Sequence, residues 1–198
     1  KVFKKKIKKN KRFKIVVATR PWEINFWSKE TFKYIILSIM RITSIFKNSQ
    51  IIFKIHPSEK EKDYLIEILN SYNSNCWKID YRHLVTISKS CDLGITLNTS
   101  GCLDIISMRK PCIEFWLKNK VVNQNLTYKV DGKIKTPFEI FGIVLNVNNF
   151  EQLLNKCKSF KNKKIREKII AKQYLNFLKL NNNRNSIQKN LKDIQKLI

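Results

Sequence analysis

Short apolar runs recur along the first 117 residues, and each run ends in a polar loop. The runs are rich in Ile, Val and Phe, and they are too short to be typical helices. Continuous apolar segments of this length are typical of strands buried on both faces of a parallel sheet. The predicted strands cover residues 13–19, 50–55, 76–80, 91–97 and 112–117.

The segments between these strands have the periodicity of helices with one buried face. Residues 29–48 carry apolar side chains three or four positions apart, and Ser28 is a candidate N-cap. Further helices are predicted at residues 60–72, 81–90 and 101–108. Strands that alternate with helices in this way predict an α/β fold, a Rossmann-like, doubly wound parallel sheet with helices on both faces.

The pattern changes after residue 117. Residues 118–136 are polar and predict a loop, residues 138–147 have strand-like character, and residues from 149 onward have helical periodicity. We therefore divide the chain into three parts. Residues 1–12 form a basic lead-in or linker, residues 13–150 form the Rossmann-like domain, and residues 151–198 form C-terminal helices that pack on it.

The charge is strongly positive, with 40 Lys and Arg against 15 Asp and Glu and a net charge of +25. Such a balance suggests nucleic acid, because cations that neutralise phosphates release counterions. Lysine greatly outnumbers arginine here, however, and Asn and Ile are abundant, as they are in proteins from genomes rich in A and T. Neither arginine forks nor regularly spaced aromatic platforms are evident. We therefore expect no specific nucleic-acid partner.

The basic lead-in fits two interpretations, a polybasic segment that contacts an anionic membrane or a solvated linker, and the sequence leaves both open. No apolar run approaches the roughly 18–20 residues of a membrane span. The lead-in also lacks the apolar core of a signal peptide. We expect a cytoplasmic location, with peripheral contact at the inner membrane face left open.

The cysteines and histidines offer little for metal chemistry. The chain has five cysteines without a Cys-x-x-Cys pair, and an odd number cannot all pair within the chain, so we expect reduced, mostly buried thiols. Only His56 and His83 could join them as ligands, and they form no close cluster. We expect no metal site.

Two polar loops follow predicted strands, at the edge of a parallel sheet where ligands bind. The first loop carries His56 and Pro57. The histidine can donate to a phosphate oxygen, and the proline keeps the turn rigid. A histidine that merely caps a strand end is the structural alternative.

The second polar loop runs from Asn98 through Thr99 and Ser100 to Gly101. Its hydroxyls and successive backbone amides could surround an anion, and the glycine permits close approach. The structural alternative is that Thr99 or Ser100 caps the helix that follows.

The two loops, in this order and followed by Lys110-Pro111 and another strand, resemble the C-terminal, donor-binding domain of GT-B glycosyltransferases. The resemblance is to capsule and lipopolysaccharide transferases with an HP motif and a later S/T-S motif, and to the related UDP-N-acetylglucosamine 2-epimerase. It spans roughly residues 13–117, and its most specific part is SCDLGITLNTSGCLDIISMRKPCIEFW at residues 90–116.

This resemblance implies roles for individual residues. His56 would contact the donor phosphate, and Thr99 and Ser100 would bind the phosphate region of the nucleotide. Asp104 stands where the epimerase has a glutamate that holds the ribose, although an aspartate is shorter. Arg109 stands where the family often has the glycine of Gly-Lys-Pro. The resemblance implies no cofactor, and the substrate would be a CMP-, UDP- or CDP-linked sugar.

The function implied is that of a glycosyltransferase for surface polysaccharide. In this family the general base comes from the N-terminal acceptor domain, so the catalytic residues are not identified in this chain. Because the chain starts with Lys1 rather than Met, we expect a fragment that lacks that domain. Two alternatives stay open, an enzyme like a nucleotide-sugar 2-epimerase and a basic module for nucleic acid or membrane surfaces. Binding by the basic module would weaken steeply with salt and would not depend on His56 or Ser100.

Overall fold

The computed structural model describes residues 12–21, 27–59, 62–72, 74–120 and 127–182. The predicted lead-in lies outside the described residues except for its last residue, Arg12. The last part of the predicted C-terminal helices, residues 183–198, also lies outside them.

The described residues form eight strands and seven helices. The strands are β1 (Phe13–Ala18), β2 (Ser49–Lys54), β3 (Trp77–Ile79), β4 (Leu93–Thr96), β5 (Cys112–Phe115), β6 (Tyr128–Val130), β7 (Lys133–Lys135) and β8 (Leu145–Val147). The helices are α1 (Lys29–Ile45), α2 (Lys62–Asn70), α3 (Leu84–Lys89), α4 (Gly101–Ser107), α5 (Pro137–Ile140), α6 (Phe150–Ser159) and α7 (Lys163–Asn182). Two single turns of 3₁₀ helix cover Ser74–Cys76 and Lys118–Lys120.

Six strands form one parallel sheet in the order β3-β2-β1-β4-β5-β8. The predicted Rossmann-like α/β class is confirmed. The strand order reverses beside β1, which pairs with β2 on one side and with β4 on the other. The loops after these three strands therefore meet at one edge of the sheet, at the topological switch point where open α/β sheets bind ligands.

Each face of the sheet carries its own apolar core, as the uninterrupted strands require. In β1, Ile15 and Val17 pack with α1, α2 and α6, whereas Val16 and Ala18 pack with α3 and α4 on the opposite face. All four side chains are buried. Helix α7 closes the second face, where Tyr174 packs against the core. A strand with no polar face is stable only when helices cover both sides of the sheet.

The loop predicted at residues 118–136 is wrong in its second half. There β6 and β7 form an antiparallel hairpin, and residues 121–126 lie outside the described part. The hairpin turns at Asp131 and Gly132, which both have positive φ angles, 51° and 70°. An Asp-Gly turn between strands is a strong hairpin signal, so the sequence contained the information.

The strand predicted at residues 138–147 is also wrong over most of its length, because it begins with α5 and only its end forms β8. Thr136 caps α5 by accepting the amide of Glu139 at 3.2 Å, and Pro137 occupies the first turn. A threonine, a proline and a glutamate at this spacing are a helix start signal.

The helix predicted at residues 81–90 begins later, at Leu84. His83 caps it, with Nδ1 accepting the amide of Val85 at 3.3 Å. Tyr81 and Arg82 therefore belong to the loop after β3. This shift places a further loop at the edge of the sheet where the strands end.

The cysteines are all free, and four of the five are buried, as expected; Cys76 is half-buried. Among the described residues, no helix combines the length and the apolar character needed to cross a membrane.

Candidate functional site

The loops after β1, β2, β3 and β4 surround a cleft of about 430 Å³ at the carboxyl edge of the sheet. We call it the first cleft. Six predicted site residues line it, namely His56, Pro57, Thr99, Ser100, Gly101 and Asp104. His56 and Ser100 are 44 residues apart in sequence (100 − 56), and the structure brings their two loops together at one edge.

The seventh predicted residue, Asn98, lines an adjoining cleft of about 350 Å³, the second cleft. His56, Thr99 and Ser100 line both clefts and so lie between them. The other residues that line the second cleft are Arg20, Pro21, Pro137 and Phe138.

His56 is held by its backbone and by its ring. Its amide donates to Thr19 Oγ1 at 3.1 Å, and its Nδ1 accepts the amide of Ser58 at 3.1 Å. Because Nδ1 accepts this hydrogen bond, the neutral ring carries its hydrogen on Nε2. Burial lowers the pKa of His56, and the positive charge of Arg20 lowers it further. At neutral pH the ring is therefore an uncharged donor through Nε2.

The first three residues of α4 use their backbone amides for hydrogen bonds to the preceding loop. The amide of Gly101 donates to Thr99 Oγ1 at 3.4 Å, and the amides of Cys102 and Leu103 donate to the carbonyls of Thr99 and Ser100. These three amides are therefore not open to an anion, and the predicted ring of amides is smaller than the sequence suggested. The capping alternative fits Thr99. It does not fit Ser100, whose exposed hydroxyl makes no cap bond.

Gly101 lies where the start of α4 packs closely against β1 and α3. A Cβ at this position would lie 2.8 Å from Leu84 Cδ2 and 3.2 Å from Ala18 Cβ. Only a residue without a side chain lets the start of α4 lie directly against β1 and α3.

Arg20 is a charged cleft residue that was not among the predicted site residues. Its Nη1 donates to the carbonyl of Asn98 at 2.5 Å and so joins the loops after β1 and β4. Burial lowers its pKa, but an arginine stays protonated in proteins. The other two loops were predicted as sites because they carry polar groups directly after a buried strand. Arg20 also follows a buried strand, so the same reasoning identifies it from the sequence.

The loop after β3 was missed because a helix was predicted there. The Arg82 guanidinium donates two hydrogen bonds to the Asp80 carboxylate, from Nε to Oδ1 at 2.9 Å and from Nη2 to Oδ2 at 2.6 Å. These contacts hold the pKa of Asp80 well below its usual range. Between them Tyr81 is 69% exposed and lines the first cleft. Lys54 donates its ammonium to the Tyr81 carbonyl at 3.1 Å. The first cleft thus has an aromatic ring and a cation on its β2–β3 side.

The clefts are therefore lined by a neutral imidazole donor, hydroxyls, a guanidinium and an ammonium, with Asp104 as a carboxylate at the side of the first cleft. This combination of donors is suited to phosphate oxygens. In the part of the chain that the structure describes, no group of three or more His, Cys, Asp or Glu side chains could hold a metal ion.

Solved structures with the same fold include enzymes that act on nucleotide sugars. The UDP-GlcNAc 2-epimerase of Methanocaldococcus jannaschii, solved with UDP-GlcNAc and UDP, is 22% identical, with a TM-score of 0.54 over 81% of this chain and 45% of that chain. The C-terminal domain of LpcC, a glycosyl transferase group 1 family protein of Francisella tularensis, is 10% identical, with a TM-score of 0.54 over 84% and 85%. The wall teichoic acid polymerase TagF is 15% identical, with a TM-score of 0.58 over 85% and 40%.

These similarities show the fold, which is the Rossmann-like half of a GT-B architecture. The chain spans less than half the length of the epimerase and of the polymerase, and most of the length of the isolated C-terminal domain. No protein-family model and no curated protein sequence matches the chain.

Proposed function

We propose that this chain is the donor-binding half of a glycosyltransferase that builds surface polysaccharide, of the capsule or lipopolysaccharide type. The observation that carries the proposal is the first cleft, where His56 and Ser100 from two distant loops meet at the switch point of a GT-B half-domain. The substrate is a nucleotide sugar linked through CMP, UDP or CDP, and no cofactor takes part.

In this proposal the cleft holds the nucleotide as the leaving group. The Nε2 hydrogen of His56 and the hydroxyl of Ser100 donate to phosphate oxygens. Lys54 lies at the same cleft and contributes positive charge. Negative charge grows on the phosphate as the glycosidic bond breaks, and fixed donors that favour this charge lower the barrier. Asp104 lies at the same cleft, where its carboxylate can accept a hydrogen bond from a ribose hydroxyl.

The remainder of the reaction belongs to a partner domain. An N-terminal acceptor domain supplies the acceptor site and the general base, since the described residues at the cleft offer no carboxylate other than Asp104. The GT-B enzymes with the same fold are about twice as long as this chain, which supports a second half. We propose a cytoplasmic location, in which the basic lead-in is either a contact with the inner membrane face or a solvated linker.

An enzyme like a nucleotide-sugar 2-epimerase is a second candidate. It is favoured by the similarity in fold to the epimerase that was solved with UDP-GlcNAc and UDP. Both candidates place a nucleotide sugar in the same cleft. They differ in the products, so incubation of the full-length enzyme with a donor sugar separates transfer to an acceptor from inversion at the sugar.

A thermal-shift screen with CMP, UDP, CDP and GDP tests the binding that both candidates require. A ligand at one hundred times its Kd stabilises a folded protein by about 2.7 kcal/mol, which is a measurable increase in melting temperature. We expect a shift with at least one nucleotide and a much smaller shift in Ser100→Ala. Ser44→Ala is the matched control, because Ser44 is an exposed serine near the far end of α1. Absence of a shift with all four nucleotides would overturn the proposed function in favour of the basic module.

A further inference from the structure

Helix α5 forms part of the second cleft, through Pro137 and Phe138. The second cleft shares His56 and Ser100 with the first cleft, so this wall lies beside the proposed position of the donor phosphate. The helix is a single turn of four residues, and none of them is fully buried. A helix this short has little stability of its own. Its position at the cleft therefore depends on contacts from neighbouring elements.

The first of these contacts joins the cap of α5 to a carboxyl of β5. Thr136 is the cap, and it is 0% exposed. Its hydroxyl accepts the amide of Glu139 at 3.2 Å and donates to Oε2 of Glu114, which is also buried. Because a hydroxyl has a single hydrogen, the bond to Glu114 turns the lone pairs of Thr136 toward the helix. Glu114 therefore orients the cap from which α5 begins.

The second contact is an ion pair. Lys118, in the 3₁₀ turn after β5, lies with its Nζ 3.2 Å from Oε1 and 3.1 Å from Oε2 of Glu139. The two side chains are only 20% and 23% exposed, so solvent and salt screen this pair less than a pair on the surface. The end of β5 and the turn after it therefore hold α5 at two places, Thr136 and Glu139.

The hydrogen bonds of Glu114 fit a neutral acid with its hydrogen on Oε1. Oε2 accepts from Thr136 and, at 3.2 Å, from Asn146 Nδ2, and two bonds occupy both lone pairs of a carbonyl oxygen. Oε1 is buried and has no hydrogen-bond partner among the described residues. Burial raises the pKa of Glu114 to about 7, so both protonation states are populated near neutral pH. An ionised Glu114 has charge on a buried oxygen that no described donor contacts, which is costly.

The titratable groups that act on Glu114 in the described structure are two thiols, an acid and a lysine. Burial raises the pKa of Cys102 on α4 and of Cys112 on β5, so both thiols stay neutral near pH 7. Glu139 on α5 is a negative charge that disfavours ionisation of Glu114, and Lys118 is a positive charge that favours it. An ionised Glu114 therefore attracts the same ammonium that holds Glu139, and it competes with α5 for this contact.

We propose that Glu114 is a positioning residue for the nucleotide site. In its neutral form it anchors the cap of α5 and leaves the ion pair of Lys118 with Glu139 intact, so α5 keeps its place as the wall of the second cleft. When Glu114 ionises, Lys118 is drawn away from Glu139, α5 loosens, and a nucleotide beside this wall is held less tightly. The inference rests on the proposed function and adds to it a residue that sets affinity from outside both clefts.

Hydrogen exchange measured by NMR tests the hold on α5 without any nucleotide. The amides of Ile140 and Phe141 donate to backbone carbonyls at the start of α5 and report whether this turn is formed. After correction for the intrinsic rate, we expect their protection to fall about tenfold from pH 6 to pH 8, because the ionised fraction of a group with a pKa near 7 rises about tenfold over this range. The amide of Leu153, which makes the corresponding bond in α6, should lose less. An equal fall at Leu153 would assign the effect to unfolding of the whole protein and overturn the inference.

Three variants isolate the role of Glu114. Glu114→Gln keeps an acceptor for Thr136 and stays neutral, so the protection of α5 should change by less than about twofold between the two pH values. Thr136→Val removes both bonds of the cap hydroxyl and should lower the protection at both pH values. Glu67→Gln, at an exposed position of α2, should behave like the unaltered protein. Circular dichroism establishes that each variant is folded, and a pH effect that persists in Glu114→Gln would contradict the inference.

Calorimetry with CMP, UDP, CDP and GDP at pH 6 and pH 8 tests the consequence for binding. His56 and the nucleotide phosphates titrate alike in the unaltered protein and in Glu114→Gln, so a difference between the two proteins isolates Glu114. For the nucleotides that bind, we expect the ratio of Kd at pH 8 to Kd at pH 6 to be about threefold larger in the unaltered protein, since ionisation of Glu114 loosens the wall only there.

The outcomes separate the inference from the proposed function. If nucleotides bind but this ratio is the same in both proteins, or if the protection of α5 does not change with pH, Glu114 does not position the site and the donor-binding function stands. If no nucleotide binds the unaltered protein at either pH, the proposed function is overturned and the inference with it.

Discussion

The hydroxyl of Thr19 accepts the backbone amide of His56 at 3.1 Å, and so joins the loop after β1 to the loop after β2. Thr19 is 1% exposed, and its own amide donates to the carbonyl of Lys54 at 3.1 Å. The position of the His-Pro loop at the cleft is therefore set by a buried contact from the neighbouring strand.

Replacing Thr19 with valine should loosen this loop. Valine keeps the β-branched shape but lacks the oxygen, so the His56 amide loses its partner in a buried setting. We expect the free energy of unfolding to fall by about 1–2 kcal/mol, the cost of an unpaired amide. Nucleotide affinity should fall as well, because His56 is no longer held in place. Chemical denaturation and calorimetry measure the two effects. Thr19→Ser, which retains the hydroxyl, is the control, and equal losses in both variants would contradict this explanation.

The titration of His56 should depend on Arg20. Burial lowers the pKa of His56 below its ordinary 6.5, and the charge of Arg20 contributes in the same direction. Because the pKa in the folded state lies below that of the unfolded chain, the folded protein binds this proton less readily. The contribution of His56 to the free energy of unfolding is therefore lost as the pH falls below about 6.5.

NMR titration of the His56 ring protons measures this pKa directly. We expect a midpoint below 6.5 in the unaltered protein and a higher midpoint in Arg20→Gln, since a nearby cation disfavours the charged ring. Arg12→Gln serves as control, because Arg12 contacts the carbonyl of Asn75 instead. An unchanged midpoint in Arg20→Gln would show that the guanidinium does not act on the ring.

The sequence predicted the sheet well because a strand buried on both faces has a distinctive composition. The segment Phe13–Ala18 is apolar at four successive positions, and only a central strand covered by two layers of helices needs this pattern. The same logic located the two motif loops, because the carboxyl ends of parallel strands meet at one edge. The convergence of His56 and Ser100 follows from topology alone.

The errors have local causes. The sequence predicts a helix from Tyr81 because the helical spacing of apolar residues extends from Leu84 back to Tyr81. No proline or glycine between them marks a later start of the helix. In the structure, Arg82 binds the Asp80 carboxylate and His83 caps the helix, so the loop after β3 continues to His83 and the helix begins at Leu84. Side-chain contacts that fix a loop form only once the chain is folded, so the sequence pattern does not predict them. Arg20 is a further example, because the Asn98 carbonyl that it contacts is 78 residues away in sequence.

Gly94 in β4 should tolerate no side chain, for a reason visible only in the packing. A Cβ at this position would lie 2.5 Å from Ile105 Cγ2 and 2.7 Å from Ile105 Cδ1, inside the core between the sheet and α4. Forcing a methyl group into such a site costs about 1–3 kcal/mol. We expect Gly94→Ala to lower the free energy of unfolding by this amount in urea denaturation.

A double-mutant cycle with Ile105→Ala tests the cause of that loss. If the clash with Ile105 is responsible, the two substitutions should be less destabilising together than the sum of their separate effects, since each relieves the other. Ile106→Ala removes a similar buried side chain of α4, which is not among the nearest neighbours of the added methyl group, and its effect should add to that of Gly94→Ala. Additivity with Ile105→Ala would instead assign the loss to the backbone of β4.

Glu114 is a buried carboxyl at the end of β5 that lies outside both clefts. Its Oε2 accepts hydrogen bonds from Thr136 Oγ1 and from Asn146 Nδ2, and its Oε1 is buried with no hydrogen-bond partner among the described residues. Burial is the main reason that the pKa of Glu114 is raised from 4.5 to about 7, and the charge of Glu139 raises it further. The two hydrogen bonds and the charge of Lys118 lower this pKa, but by less. A carboxyl with one unpaired buried oxygen is better accommodated neutral than charged.

The contribution of Glu114 to the stability of the protein should therefore decrease with rising pH near neutrality. The unfolded chain releases the Glu114 proton near pH 4.5 and the folded chain near pH 7, so the free energy of unfolding falls between these values and levels off above them. At 1.36 kcal/mol per pKa unit the fall is about 3 kcal/mol. Glu114→Gln resembles the neutral acid and should remove this slope, whereas Glu67→Gln, at an exposed position of α2, should keep it. Thermal melts at pH 5 and pH 8 measure the difference, and an equal slope in Glu114→Gln and the unaltered protein would mean that Glu114 is charged in the folded state throughout this range.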